Sequence, residues 1–170
     1  MNQGKPKNVL FVCTGNSARS ILAEALLNQM GQGQFQAWSA GSHPTGVVNP
    51  LTLQTLQRLQ LPSGNCRSKS WSEFAGPDAP ALDFVFTVCD QAAAEVCPVW
   101  PGQPISAHWG VADPAAATGD EEKVHRAFSD AFSVLSRRIS LFMCLPIDKL
   151  SRLALIQAVQ KIGQEESATT

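Results

Sequence analysis

The stretch Asn8-Val-Leu-Phe-Val-Cys13-Thr-Gly-Asn-Ser-Ala-Arg19-Ser20 decides how the chain is read. Its apolar run, Val9 to Val12, leads straight into Cys13, and a short polar loop with one glycine then ends at Arg19, where a helical pattern begins. A strand, a loop and a helix start in that order can aim a row of backbone N–H groups at one spot, and the helix adds the positive end of its dipole there. An anion belongs in that spot, with the Cys13 sulfur below it and the Arg19 guanidinium at the rim. Thr14, Gly15, Asn16, Ser17, Ala18, Arg19 and Ser20 are the residues expected to bind the oxyanion. The same surroundings act on the thiol. A free cysteine titrates near ~8.5, leaving about 3 % thiolate at neutral pH, whereas helix N-termini and nearby cations bring the value to roughly 3.5–7.5. Cys13 is therefore expected to be mostly ionised, with Ser20 placed to donate a hydrogen bond to it and Asn16 to brace the loop. A buried structural cysteine at a strand end is the bland alternative. The strand before, the helix after, Gly15 and the Ser-Ala-Arg-Ser run together favour a reactive one.

Composition narrows the setting. With 170 residues, 44 % of them hydrophobic, the chain is sized for one domain with a substantial core. A formal charge of −1 and a pI near 6.3 offer no electrostatic footprint for nucleic acid or an anionic membrane. No apolar stretch approaches the ~20 residues of a membrane span, and Met1 to Lys7 carries no signal-peptide core, so a cytoplasmic protein is expected. In that compartment the five cysteines, 13, 66, 89, 97 and 144, are read as reactive thiols or metal ligands before any disulfide frame. No Cys-x-x-Cys or paired-histidine spacing supports a metal site, and none is expected.

Along the chain, Ile21, Leu22, Ala25, Leu26 and Met30 recur at helical spacing and Gly31 closes the element. Phe35 to Ala40 reads as a second strand, which a right-handed crossover lays parallel to the first. Asn49 is an N-cap with Pro50 at the first helical position, and Leu53, Leu56 and Leu59 form the stripe of a second helix. Residues 61–81 read as a long surface connection in which only Trp71 to Phe74 coils; Arg67 and Lys69 are taken as solvated charges, with facing the anion site as the alternative. Leu82 to Val88 is an almost continuously apolar strand, expected to be buried on both faces, that delivers Cys89 at its end. Open parallel sheets bind ligands at the carboxyl ends of their strands, so Cys13 and Cys89 are candidates for one rim. Ile105 to His108 is a short fourth strand, Asp120 to Leu145 a long amphipathic helix, 147–163 a further C-terminal helix and 164–170 a frayed tail.

The segment Cys13-Thr-Gly-Asn-Ser-Ala-Arg19-Ser20, with Asp113-Pro114 far downstream, resembles the low-molecular-weight protein tyrosine phosphatases and, more closely, the thioredoxin-coupled arsenate reductases built on that fold. The resemblance spans about residues 8–145. It implies an α/β fold of three α/β/α layers around a four-stranded parallel sheet, with Cys13 as nucleophile, Arg19 and the loop amides as oxyanion binders and Asp113 as general acid. Attack by a thiolate expels a poor leaving group unless a proton arrives with it, and a carboxyl on a mobile loop can supply that proton. The reductase branch is further implied by Cys89 and Cys97, spaced as in those enzymes. The pairing it implies is a relay: Cys13 attacks arsenic, Cys89 takes the adduct's sulfur, Cys97 moves the disulfide outward, and thioredoxin, or glutathione with glutaredoxin, restores the thiols. No tightly bound cofactor is implied; arsenate is the substrate, phosphate or sulfate its analogue, and arsenic detoxification the role.

Three departures stand beside the resemblance. Ala18 holds a loop position where the best-known reductases have cysteine. Some of those enzymes bind potassium near the loop, and Asn16, Glu24 and Ser39 match that pattern while Trp71 replaces its aspartate, which leaves the ion open. The chain also runs some 25 residues past the usual end, where the extra helix either makes a dimer contact or covers core. The alternative reading is a phosphomonoesterase of the tyrosine-phosphatase kind. Against it, Ala115-Ala116-Ala117 follows Pro114 where such enzymes carry tyrosine, and the chain contains no tyrosine at all. A non-enzymatic anion sensor is the third reading. Gln91 to Val96 is helix-prone, and a continuous helix would hold Cys89 and Cys97 about 12 Å apart, beyond the ~4.4–6.8 Å Cα span of a disulfide. The segment is thus expected to unwind on oxidation.

Overall fold

The structure, a computed structural model, describes residues 4–95, 98 and 100–165. Strand β1, Lys7–Cys13, carries the fully buried run Val9, Leu10, Phe11 and Val12. Helix α1, Arg19–Met30, returns the chain to β2, Phe35–Gly41, and helix α2, Pro50–Arg58, follows. Asn49 caps α2 by accepting the Leu51 amide at 2.9 Å, with Pro50 inside the first turn, as the sequence pattern requires. Strand β3, Phe84–Thr87, is followed by the short α3, Asp90–Ala94; then come β4, Ile105–His108, helix α4, Glu121–Met143, and helix α5, Arg152–Gln164.

All strands pair in parallel in the order β2-β1-β3-β4, flanked by helices, which is the α/β class expected from the repeated strand–helix pairs. The connections leave β1 toward β2 on one side and reach β3 on the other. The crevice between the carboxyl ends of β1 and β3 is therefore the switch point of the sheet. Cys13 closes β1, and Cys89 stands two residues beyond the end of β3, so both thiols flank that crevice.

The core is aromatic. Phe142 of α4 packs edge-on against Phe84 and Phe86, with centroids 4.9 and 5.3 Å apart, and Trp109 stacks on Phe86 at 3.8 Å. Trp109, fully buried, is thus core rather than a ring platform at the site. The long helix is slightly shorter than the 120–145 pattern at both ends: Asp120 is its N-cap, accepting the Lys123 amide at 2.9 Å, and Cys144 is its C-cap.

The C-terminal segment departs from a continuous 147–163 helix. Ile147–Lys149 forms a single 3-10 turn, Leu150 is extended, and Ser151 restarts the chain as the cap of α5, accepting the Ala154 amide. Gln164, assigned from sequence to the tail, closes α5; residues 166–170 lie outside the described residues. Leu155, Val159 and Ile162 of α5 are buried, and the Val159 carbonyl accepts the Trp109 indole N–H at 3.0 Å, so this helix covers core. Gly163 allows the close approach, since a Cβ there would strike the His108 carbonyl oxygen. Gly163→Ala is expected to lower unfolding free energy by about 1–3 kcal/mol through overpacking, read as a lower urea midpoint at unchanged slope.

Candidate active site

The loop from Cys13 to Ser20 is held with its carbonyl oxygens turned outward. Ser42, His43 and Thr45 donate their amides to the carbonyls of Cys13, Thr14 and Gly15, at 3.2, 2.9 and 3.0 Å, and Asn49 donates to Ser17 at 3.0 Å. Side chains repeat the pattern, with Thr52 Oγ1 donating to the Ser17 carbonyl and Ser68 Oγ to that of Gly15. Among the described residues the amides of Gly15, Ser17 and Ala18 meet no protein acceptor and are free for an anion. Ala18, the N-cap of α1, makes no side-chain cap, so the helix end stays open as well. Gly41 permits this packing: a Cβ on it would lie 2.5 Å from the Thr14 carbonyl oxygen.

Cys13 is buried, and its sulfur receives two donors. The Asn16 amide reaches it at 3.2 Å, and Ser20 Oγ lies 2.9 Å away. Asn16 Nδ2 donates to Ser20 Oγ at 2.8 Å, which keeps the serine hydroxyl proton available to a Cys13 thiolate, the contact expected from the sequence. Asn16 does this from a positive φ of 46°, a region asparagine tolerates better than most residues. Its other side-chain atom, Oδ1, accepts the Lys69 amide at 2.8 Å.

Arg19 is held against the loop after β4. Its Nη1 donates to the Val111 carbonyl at 3.0 Å, and its Nη2 lies 3.6 Å from Asp113 Oδ2. The second oxygen of Asp113 accepts the Ala115 amide at 3.0 Å, capping the 3-10 turn Pro114–Ala116. The same loop is tied from behind, where the buried Arg138 of α4 donates to the Gly110 carbonyl at 2.7 Å. Cys89, also buried, caps α3: its sulfur accepts the Ala92 amide at 3.4 Å and lies 3.4 Å from Thr14 Oγ1. A cavity of about 550 Å³ is walled by Cys13, Arg19, Cys89, Asp113 and the loop between Thr14 and Ala18. Among the described residues none that lines it is aromatic, and Ala115 is one of its walls.

Four of the five residues singled out for chemistry, Cys13, Arg19, Cys89 and Asp113, thus meet in one cavity, and Cys97 lies outside the described residues. The helix-prone segment 91–96 is helical only as Asp90–Ala94, and Val96 too is outside the described residues. Each end of this piece meets a histidine. His108 Nε2 is 2.7 Å from Asp90 Oδ1, and His43 Nδ1 is 3.7 Å from Glu95 Oε1.

Sequence reasoning missed Arg138 and misread Lys69, which is no solvated charge. Its ammonium is buried beside Glu24 of α1 at 3.8 Å and Ser39 Oγ of β2 at 3.5 Å. Burial pushes the Glu24 carboxyl up and the Lys69 ammonium down from their ordinary values, each partly offset by the other's charge. Cys66 borders the same region, its thiol pushed up by burial and then by Glu24. Arg67 is an exposed charge, paired with Glu73 at 2.6 Å.

Residues 8–152 match the family described as low molecular weight phosphotyrosine protein phosphatase. An arsenate reductase from Bacillus licheniformis is 33 % identical over 137 residues, covering 80 % of this chain and 94 % of the relative. The crystal structure of an arsenate reductase from Archaeoglobus fulgidus superimposes with a TM-score of 0.60 at 28 % identity, covering 78 % of this chain and 98 % of that one. A low molecular weight protein tyrosine phosphatase from T. tengcongensis shares the fold, with a TM-score of 0.64 at 22 % identity and coverage of 85 % and 99 %. Helix α5 lies almost wholly past the matched residues, whereas the sheet, the Cys13 loop and the Asp113 turn lie within them: the chain belongs to the low molecular weight phosphotyrosine protein phosphatase family.

Proposed function

We propose that this protein is an arsenate reductase that converts arsenate to arsenite through a relay of Cys13, Cys89 and Cys97. The observation that carries the reading is the second thiol: the Cys89 sulfur stands 3.4 Å from the side chain of Thr14, in the wall of the cavity that holds Cys13. Phosphomonoester hydrolysis has no use for a thiol there. An aryl ester would also want a ring surface at the mouth, and the described residues that line this cavity include none.

The loop amides and the Arg19 fork bind the three non-reacting oxygens of the oxyanion. The Cys13 thiolate attacks arsenic, an As–O bond breaks, and Asp113 delivers the proton that lets oxygen leave as water. Cys89, as thiolate, then attacks the Cys13 sulfur. The S–As bond breaks with its electron pair on arsenic, so arsenic falls from the pentavalent to the trivalent state, and the two sulfurs that gave up those two electrons are left joined as a Cys13–Cys89 disulfide. Cys97 attacks Cys89, releasing Cys13 as thiolate, and an external dithiol of the thioredoxin or glutaredoxin kind reduces the Cys89–Cys97 bond. Because Cys89 caps α3, its sulfur must give up the Ala92 amide to turn outward, and the helix start goes with it.

Arsenite release with arsenate and a thioredoxin system tests the proposal. Wild type is expected to turn over, Cys13→Ser to release none, and Cys97→Ser to stop after one arsenite per chain with Cys13 and Cys89 joined. A wild type that makes no arsenite with any thiol donor, yet cleaves aryl phosphates, overturns the reading; turnover with glutaredoxin alone changes only the donor. Asp113→Asn is expected to slow the first chemical step by roughly 10²–10⁴-fold, seen in single-turnover experiments at saturating arsenate. Amide exchange over residues 89–95 should quicken in the Cys89–Cys97 disulfide form, and unchanged protection would refute the unwinding.

A further inference from the structure

The potassium ion that the resemblance leaves open does not fit the residues found here. Three oxygens surround the Lys69 ammonium, those of the Glu24 carboxylate at 3.8 Å, the Ser39 hydroxyl at 3.5 Å and the Arg67 carbonyl at 3.2 Å. The hydroxyl and the carbonyl accept from the ammonium, and the carboxylate balances its charge at ion-pair distance. Asn16 Oδ1, the remaining ligand of the pattern, is engaged by the Lys69 backbone amide. Trp71, where an aspartate would stand, packs edge-on against Trp100 and brings no charge.

We infer that Lys69 is a tethered cation that takes the place of a bound alkali ion and positions the Cys13 loop, an assignment that rests on Cys13 being the nucleophile. The connection to sulfur is continuous. The Lys69 amide holds Asn16 Oδ1, Asn16 Nδ2 holds Ser20 Oγ, and Ser20 Oγ meets Cys13 Sγ, at 2.8, 2.8 and 2.9 Å. The Lys69 carbonyl accepts the Gly41 amide at 2.9 Å, and Gly41 is the residue against which Thr14 packs without room for a Cβ. Glu24 lies on α1 one turn after Ser20, so the ion pair clamps the same helix turn that presents Ser20 to the sulfur. Glu24 and Lys69 are both nearly excluded from solvent, with 14 % and 6 % of their side chains exposed. Removing either partner strands the other as an uncompensated buried charge. A cation carried on the chain needs no uptake from solution and is present in every molecule.

The test follows iodoacetamide labelling of the Cys13 peptide by mass spectrometry, together with thermal unfolding, in potassium chloride or tetramethylammonium chloride at matched ionic strength. Neither readout requires arsenate turnover, so the outcome is independent of the reductase proposal. Wild type is expected to show the same labelling rate, across the pH profile, and the same midpoint in both salts. Lys69→Ala is expected to label about fivefold more slowly in tetramethylammonium, the factor of roughly one net hydrogen bond, to melt lower, and to recover on both counts in potassium. The double variant Glu24→Gln/Lys69→Ala, which removes both charges, is expected to melt above the single variant and to ignore potassium. The inference is overturned if potassium speeds labelling of wild type, if Lys69→Ala melts lower yet labels at the wild-type rate, or if the double variant still responds to potassium.

Discussion

The amides of the Cys13 loop face the cavity because its carbonyl oxygens are claimed from outside. A peptide unit carries its donor and acceptor on opposite edges, so fixing the carbonyls of residues 13, 14, 15 and 17 against the 42–52 segment and Ser68 fixes where the N–H groups point. The anion site is in this sense made by residues that never touch the anion. Gly41 is the tightest point of that arrangement, and Asn16, buried at positive φ, packs beside it. Such a loop is preorganised: its dipoles are paid for in folding, not when an oxyanion arrives.

The sheet brings the remaining parts together by topology alone. A change of direction between β1 and β3 opens one crevice, and both thiols stand at its lip. Asp113 comes from the next strand over, on a loop held by Trp109 in the core, Arg138 from behind and Arg19 from the front. Elements separated by a hundred residues of chain converge because parallel strands deliver all their carboxyl ends to one side.

Much of this was legible in the residues. Apolar runs ending at Cys13 and Cys89 located the strands, Asn49-Pro50 located a helix start, and the loop's composition predicted the Ser20 and Asn16 hydrogen bonds that the structure contains. Lys69 was not legible, because Arg67-Ser-Lys69 in a polar connection has the look of surface, and its burial is created by Glu24 and Ser39 on distant elements. Arg138 shares that fate. Of two adjacent arginines on α4, Arg137 reaches Glu165 at the surface while Arg138 turns inward to Gly110, and only the packing of the helix decides which. The break at Leu150–Ser151 depended on a single cap that apolar periodicity does not register.

Arg19 rests against an acidic side chain of its own protein, with Asp113 Oδ2 at 3.6 Å and the Val111 carbonyl at 3.0 Å. An incoming anion therefore competes with an internal one. Chloride or nitrate, singly charged and weakly basic, gains little from that exchange, whereas a doubly charged tetrahedral oxyanion brings enough acceptors for the guanidinium and the open amides together. The resting contact acts as a threshold of charge density, which a tetrahedral dianion meets and a small monovalent anion does not.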